Sequence, residues 1–259
     1  MEIDAVIDGT KYPLRDLSFQ SGCRETLDQT GALVLPEFLT AEAVTAIAAE
    51  GAAKREHAYF CNDEHNVYLA PPDPNFPADH PRNRLILSSK GCIPDDIIAA
   101  NSPLRTLYNS EGFRGFLCRV LGETALFEYA DPLSSINLHY ADPGLELGWH
   151  FDNSSFAITL MIQEPDAGGA FEYVSGMRDV DKGEMNYSGV AEVLDGAVVP
   201  KTLNMKAGAL VLFRGRNALH RVAPVEGPTT RLLVTLAYNT EPGISLSDSA
   251  RMTFFGRLG

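Results

Sequence analysis

The sequence predicts a mainly β protein whose core is a double-sheet jelly roll, with helices packed beside it. Three observations predict this fold class. From residue 125 onward, apolar segments of strand length recur at short intervals. Turn residues such as Asp142-Pro143-Gly144 separate these segments. The main helical signals lie before residue 125, so eight or so short strands remain for the core, which fits a jelly roll of the cupin kind.

Two helices and one strand are predicted before residue 125. Thr40 is suited to be the N-cap of the first helix, and Ser102 caps the second, with Pro103 at its first position. Gly122 is expected to end the second helix. These signals predict a strand over 31–36, a helix over 41–55 and a helix over 103–121 that breaks near Gly112, whereas 1–30 and 61–84 show no regular pattern.

The strand signals after residue 125 define the core. A polar insert over 175–199, with a short helix near 189–194, interrupts them and is placed to fold over the barrel mouth as a lid. The predicted strands cover 125–130, 134–141, 146–152, 156–164, 170–174, 200–206, 209–213, 219–224 and 231–239.

Length and composition set the domain count and the compartment. At 259 residues we expect one domain, with an N-terminal region 1–124, a core 125–240 and a tail 241–259. The four cysteines have no paired or metal-type spacing and are predicted to be free thiols. No signal peptide and no run of about 20 apolar residues is visible, so we expect a cytoplasmic protein with no membrane partner.

The net charge restricts the partners. A formal charge of −13 argues against nucleic acid, because phosphate binding needs a concentrated basic face. A small-molecule substrate is therefore expected, although the charge does not identify it. The sequence does not predict an oligomeric state.

The segment Gly148-Trp149-His150-Phe151-Asp152-Asn153 carries the strongest functional signal. Side chains alternate along a strand, so His150 and Asp152 should share one face. A second imidazole follows at His220. Two histidines and one carboxylate on one side of a metal suit non-haem Fe(II) oxygenases. The alternative is an ordinary hydrogen-bonded His–Asp pair together with a half-buried histidine.

Arg231 follows His220 by eleven residues and begins the apolar run Arg231-Leu232-Leu233-Val234-Thr235-Leu236. A lone guanidinium in such a run could hold a carboxylate through two parallel hydrogen bonds. The order His-x-Asp, distal His and then Arg is far more specific than an isolated His-x-Asp.

These residues resemble those of the iron(II)/2-oxoglutarate-dependent oxygenase superfamily over roughly 125–240. The resemblance implies a double-stranded β-helix fold, with Fe(II), 2-oxoglutarate and O2 as cofactor and co-substrates. It also implies that His150, Asp152 and His220 bind the iron. Arg231 would then bind the far carboxylate of 2-oxoglutarate, and Tyr140 would help to hold the same molecule.

The run from Gly148 to Gln163 is further similar to a bacterial subgroup that acts on free amino acids. That subgroup contains hydroxylases and halogenating relatives that carry glycine in place of the metal-binding aspartate. Because Asp152 is present, hydroxylation with release of succinate and CO2 is expected. Ring closure or desaturation stays open, because ligand identity does not separate these outcomes.

Five further residues are candidates for substrate contact. Arg82 and Arg84 follow a proline-stiffened loop and could bind a substrate carboxylate, although the simpler interpretation is that they solvate the loop. Asn137, His139 and Asn153 lie near the predicted ligands in sequence.

Two competing functions remain at this level. A metal-binding cupin without oxygenase activity would keep the barrel and the ligands but would not need Arg231. An oxygenase acting on a carrier-tethered substrate would favour a basic docking patch, which the net charge of −13 does not indicate.

Overall fold

The computed structural model describes residues 2–259 and shows a curved β-structure flanked by six α-helices within that range. The helices are α1 (Leu17–Thr30), α2 (Ala41–Lys54), α3 (Pro103–Tyr108), α4 (Glu111–Leu121), α5 (Tyr187–Leu194) and α6 (Asp248–Phe255).

The strands before the metal-ligand candidates are β1 (Ala32–Leu35), β2 (Tyr59–Asn66), β3 (Leu85–Ile93), β4 (Ile136–Ala141) and β5 (Leu147–His150). The remaining strands are β6 (Ala157–Gln163), β7 (Ala167–Gly168), β8 (Phe171–Val174), β9 (Lys201–Leu203), β10 (Leu210–Phe213), β11 (Leu219–Val222), β12 (Val225–Glu226) and β13 (Arg231–Leu236).

Eleven strands form one continuous antiparallel sheet in the order β1-β10-β6-β13-β4-β3-β5-β11-β8-β9, with β2 paired to β3, and β7 and β12 form a separate two-stranded sheet. Strand β3 joins its two halves, because Cys92 pairs with His139 of β4 and Ser88 pairs with Leu147 of β5. We call β1, β10, β6, β13 and β4 the major sheet and β5, β11, β8 and β9 the minor sheet. This is the jelly roll that the short strand segments and the turn residues between them predicted.

Alternation along each strand separates the barrel interior from the helix-covered face. On β13, Leu232, Val234 and Leu236 pack into the large core under helices α1 to α4. Arg231 therefore points into the barrel interior. Fully burying each of these aliphatic side chains contributes about 1.5–3 kcal/mol, so a register slip that exchanged the two faces would be strongly unfavourable.

Helix α2 lies close to the major sheet at Gly51. A Cβ placed there would lie 2.9 Å from Cδ2 of Leu138, so a larger residue would require that side chain to shift. Helix α2 spans 41–54 with Thr40 as its N-cap, as predicted. The helix predicted over 103–121 is two helices, and the break lies at Asn109–Ser110 because Ser110 caps α4.

Two regions that were predicted to be irregular contain regular elements. Within 1–30 the structure forms α1, whose N-cap Asp16 accepts a hydrogen bond from the Phe19 amide at 2.7 Å. The region 61–84 begins with the second part of strand β2, whose polar residues gave no alternating pattern, but 67–84 contains neither strand nor helix, as predicted. The tail, for which the sequence analysis gave no element, contains α6. Conversely, the strand predicted over 125–130 is reduced to one bridge, between Phe127 and Asn239.

The insert 175–199 does not cover the barrel mouth as a lid. It carries Met177, Val190 and Val193, which pack with Trp149 and Phe151 on the outer face of the minor sheet. The expected lid position is therefore corrected, because the apolar side chains of the insert are buried against the outer face of the minor sheet.

The four cysteines are free thiols, as predicted. Within residues 2–259, no helix combines the length and the apolar character that crossing a membrane requires.

Candidate metal centre

Two adjacent strands of the minor sheet bring the two histidines together. His150 on β5 and His220 on β11 are direct cross-strand partners, and their ring centroids lie 4.2 Å apart. Antiparallel partners point to the same face, so both imidazoles enter the barrel interior. Both residues are buried, with 7% and 4% of their surface exposed.

Asp152 completes the cluster from the end of β5. Its Oδ1 lies 3.7 Å from Nε2 of His150 and 3.5 Å from Nε2 of His220. One potential ligand atom from each residue lies within 4.8 Å of the others. The neighbouring Gly215 makes room for the carboxylate, because a Cβ there would lie only 1.8 Å from Oδ2.

Backbone carbonyls orient both imidazoles. Nδ1 of His150 donates to the carbonyl of Gly148 at 2.8 Å, and Nδ1 of His220 donates to that of Ala218 at 3.0 Å. A carbonyl oxygen can only accept, so the proton is on Nδ1 and the Nε2 lone pair faces Asp152. Metal-binding histidines commonly show this second hydrogen bond.

The charge states also suit a cation. Burial and the adjacent His220 lower the pKa of His150 well below its ordinary value, so this imidazole is neutral at pH 7. Burial alone would raise the pKa of Asp152, but the two histidines and Lys90 hold it below its ordinary value. Its Oδ2 is buried with no hydrogen-bond partner among residues 2–259. Two imidazole nitrogens and an under-satisfied carboxylate fit a divalent metal ion.

Arg231 supplies a buried cation on the major sheet. It is 4% exposed, and its Nε and Nη2 have no hydrogen-bond partner among residues 2–259. Burial lowers its pKa to about 10, which leaves the guanidinium charged at neutral pH. A buried charge without a partner costs several kcal/mol, so the side chain is suited to an anionic ligand.

Lys90 is a functional candidate that the sequence reasoning missed. On β3 it shares a face with Cys92, the cross-strand partner of His139, and therefore also faces the interior. Its ammonium lies 4.8 Å from the ring centroid of Phe254 in α6. The alternation of Leu85–Ile93 was the signal that could have found it, but this segment was not predicted as a strand.

His139 lies between the two cations. Burial, followed by Lys90 and Arg231, lowers the pKa of His139 well below its ordinary value. Its Nδ1 is buried without a hydrogen-bond partner among residues 2–259. Asn137, on the same strand face, uses its amide to donate to the carbonyls of Leu133 and Ile136.

The structure does not bring Tyr140 to this interior. Tyr140 points to the helix-covered face, one residue out of phase with His139, and its hydroxyl donates to the carbonyl of Gly51 at 2.7 Å. The predicted contact with 2-oxoglutarate is therefore corrected, because alternation on β4 turns the ring away.

The arginines of the proline-rich region also lie outside the barrel interior. Nη1 of Arg84 pairs with Oδ1 of Asp195 at 2.6 Å, beside the C-terminal end of α5, which corrects its expected role in substrate binding. Arg82 and Asn153 line a separate pocket on the outer side of the segment that carries Asp152.

The fold and this polar cluster together define a class. Solved structures with the same fold include a carbocyclase, SnoK, from nogalamycin biosynthesis (TM-score 0.61, 14% identity, 92% of each chain covered). Others are the epimerase SnoN from the same biosynthesis (0.58, 13%, 86% of this chain and 81% of that one) and a 2-oxoglutarate–Fe(II) oxygenase-family protein from Burkholderia pseudomallei (0.55, 13%, 87% and 93%). These structures show that the chain has the fold of the class of Fe(II)/2-oxoglutarate-dependent oxygenases, as the resemblance predicted.

Within this class, the chain belongs to the Halogenase D family, whose model matches residues 88–252, more than half of the sequence. The matched region begins in β3 and ends in α6, so it includes the whole metal cluster. Comparison with curated protein sequences gave no match.

Proposed function

We propose that the protein is an Fe(II)- and 2-oxoglutarate-dependent dioxygenase that hydroxylates an unactivated C–H bond of a free amino acid. The observation that carries the proposal is the cluster of two Nε2 atoms and one under-satisfied carboxylate, with Arg231 buried and without an acidic partner in the same barrel. A metal-binding cupin without oxygenase activity would not bind 2-oxoglutarate and would not need a buried guanidinium to pair with its carboxylate.

Three residues would hold the iron: His150, Asp152 and His220. When bound, iron with 2-oxoglutarate and O2 supplies an oxidation in which a C–H bond becomes C–OH and 2-oxoglutarate becomes succinate and CO2. Arg231 would bind the far carboxylate of 2-oxoglutarate, since its Nε and Nη2 can donate side by side to two carboxylate oxygens.

Lys90 and His139 are the groups best suited to orient the substrate. Lys90 has no salt-bridge partner among residues 2–259 and is close enough to Asp152 to lower the pKa of that carboxylate. An ammonium there could bind the substrate carboxylate from inside the barrel. This assignment replaces the one made to Arg82 and Arg84 from the sequence, because those side chains are not in the interior.

Halogenation is the second candidate because the family model is that of a halogenase. Asp152 argues against it. Its carboxylate would take the coordination position that a halide needs, and Gly215 leaves space for that carboxylate. Ring closure and desaturation use the same ligands, and the fold itself occurs in a carbocyclase and an epimerase, so neither the ligands nor the fold selects the outcome.

The test is a screen of free amino acids with the iron-loaded enzyme, 2-oxoglutarate and high chloride. One amino acid should stimulate succinate formation, and its product should gain 16 mass units, the mass of one oxygen atom, with no chlorinated product. The Arg119→Gln variant, altered on the exposed face of α4, should behave as the wild type.

Three results would count against the proposal. Absence of succinate formation with every substrate offered, while iron and 2-oxoglutarate bind, would reject a free amino acid as the substrate. A product two mass units lighter than the substrate would indicate desaturation or ring closure. A chlorinated product would show that Asp152 is not a ligand.

A further inference from the structure

A second cationic site lies outside the barrel, behind the segment that carries the metal ligands. A pocket of about 360 Å³ opens between the proline-rich region and the insert 175–199. Its walls contain three arginines, Arg82, Arg178 and Arg216. That volume is within the range of about 300–1,000 Å³ typical of small-molecule sites.

The backbone of 151–153 separates this pocket from the metal cluster. Phe151 and Asn153 alternate with His150 and Asp152, so they face the outer side. The guanidinium of Arg178 lies 4.2 Å from the ring centroid of Phe151, which places it on that outer side. The pocket and the metal cluster therefore occupy opposite faces of one short segment.

Hydrogen bonds to backbone carbonyls hold the arginines in place and leave much of their charge uncompensated. Arg178 donates from Nε to the carbonyl of Arg216 at 2.7 Å and from Nη2 to that of Asp152 at 3.2 Å. Arg82 donates from Nη2 to the carbonyl of Pro71 at 2.9 Å. Among residues 2–259, neither Arg82 nor Arg178 has a salt-bridge partner, and the buried Nη1 of Arg82 has no hydrogen-bond partner.

Arg216 has an acidic neighbour that competes only weakly. Its Nη2 lies 3.1 Å from Oδ1 of Asp181, whose side chain is 76% exposed. An exposed pair of this kind contributes roughly 0–1 kcal/mol, so a stronger anion can displace it. Three guanidiniums thus converge on one pocket of a chain whose net charge is −13.

The rest of the pocket wall is suited to an organic group. Tyr68 and Tyr187 line it, and their ring centroids lie 5.7 Å apart in an edge-on arrangement. Ala70, Val180 and Met185 add apolar surface. A single carboxylate would be matched by one arginine, whereas a phosphoryl dianion can accept from several guanidiniums at once.

We propose that this pocket binds the phosphoryl group of a small phosphorylated molecule, whose organic part lies against Tyr68 and Tyr187. The site is separate from the proposed reaction and does not depend on it. An anion bound here would contact Arg178, which donates a hydrogen bond to the Asp152 carbonyl. The bound anion would therefore lie close to the segment that carries His150 and Asp152.

The experiment titrates the full chain, with saturating 2-oxoglutarate present to fill the Arg231 site. The probes are phenyl phosphate and inorganic phosphate, followed by calorimetry and by the fluorescence of Trp149, the only tryptophan in the sequence. Trp149 belongs to the same apolar cluster as Tyr68 and Phe151. Phenyl phosphate should bind more tightly than inorganic phosphate, and added NaCl should weaken both.

Two variants test the arginines separately. Arg82→Gln and Arg178→Gln should each weaken phenyl phosphate at least about tenfold, since a hydrogen bond to a charged group contributes about 1.5–3 kcal/mol. Arg119→Gln, an exposed arginine on α4, should leave the affinity unchanged. Arg178→Lys keeps the charge but loses the planar fork and should fall between the wild type and Arg178→Gln.

Because Arg178 also supports the insert, Arg82→Gln is the decisive variant. Unaltered phenyl phosphate affinity in folded Arg82→Gln would overturn the site, as would failure of the wild type to bind either probe at millimolar concentration. Equal affinity for the two probes would overturn the organic part and leave a simple phosphate site. None of these outcomes bears on succinate formation, so the proposed reaction stands or falls separately.

Discussion

Two groups of cations lie on opposite sides of the segment 150–153, and they differ in their surroundings. On the inner face, Arg231 is 4% exposed and has no acidic partner among residues 2–259. On the outer face, the side chain of Arg216 is 37% exposed and pairs with Asp181. Enclosure makes the inner charge strong and selective, whereas the outer charges are screened by salt.

The contrast shows how residues at the end of one strand can contribute to two separate proposed binding sites. Alternation along the chain sends neighbouring side chains to opposite sides, so a strongly polar inner site and a moderately polar outer pocket need no extra domain. Three experiments test this contrast.

The largest effect is expected from removal of a metal ligand. His220→Ala should abolish stoichiometric iron binding, because even changes to groups that only support ligands cost about 10–100-fold in metal affinity. Iron content after gel filtration measures it. His65→Gln is the matched control, since this imidazole lies 6.1 Å from that of His150 but its Nε2 is hydrogen-bonded to Ser88. Full iron occupancy in His220→Ala would rule out the proposed ligand set.

The second effect concerns Arg231. Arg231→Gln should raise the apparent KM for 2-oxoglutarate by tens of fold or more, because loss of one partner of a buried charge pair costs about 2–5 kcal/mol. 2-Oxoglutarate should also raise the melting temperature of the wild type but not of this variant. Arg221→Gln is the control, because Arg221 lies on the outer face and pairs with Glu172. Equal KM values in Arg231→Gln and the wild type would place the carboxylate elsewhere.

The smallest effect is a pH dependence of stability that belongs to the inner face. His139 and His150 have pKa values lowered by burial, whereas in the unfolded chain a histidine has its ordinary value near 6.5. Below about pH 6.5 the unfolded state therefore binds protons that the folded state does not. The free energy of unfolding should fall by about 1.4 kcal/mol per pH unit for each such histidine as the pH decreases.

Urea unfolding of the metal-free chain at pH 7.5 and pH 5.0 measures this dependence. His139→Asn should reduce the slope, whereas His57→Asn, altered at an exposed histidine, should not. The same slope in His139→Asn as in the wild type would show that this histidine is protonated equally in both states.

Local sequence patterns predicted the structure correctly where a residue type has one strongly preferred structural role. Thr40 predicted the start of α2 correctly because a threonine that caps a helix accepts a hydrogen bond from within the same turn. The apolar run after Arg231 predicted a strand, and β13 is that strand. His150-x-Asp152 predicted the shared face of two side chains for the same reason.

Other features depended on partners distant in sequence. Strand β2 is mostly exposed and polar, so its strand character comes from pairing with β3 and not from its own pattern. Lys90 was not identified as a candidate, because its strand β3 was not predicted either. Tyr140 was misassigned because its neighbour His139, and not Tyr140 itself, is in phase with the interior.

The sequence by itself determined the jelly-roll class, the shared face of His150 and Asp152 and the apolar run that follows Arg231, because strand alternation and residue chemistry act over only a few neighbouring positions. Only the tertiary structure decided that Arg84 pairs with Asp195 and that Arg82 meets Arg178 and Arg216 in an outer pocket. These contacts join segments about 100 residues apart. Their formation depends on how the insert packs against the minor sheet, and a local pattern carries no information about that packing.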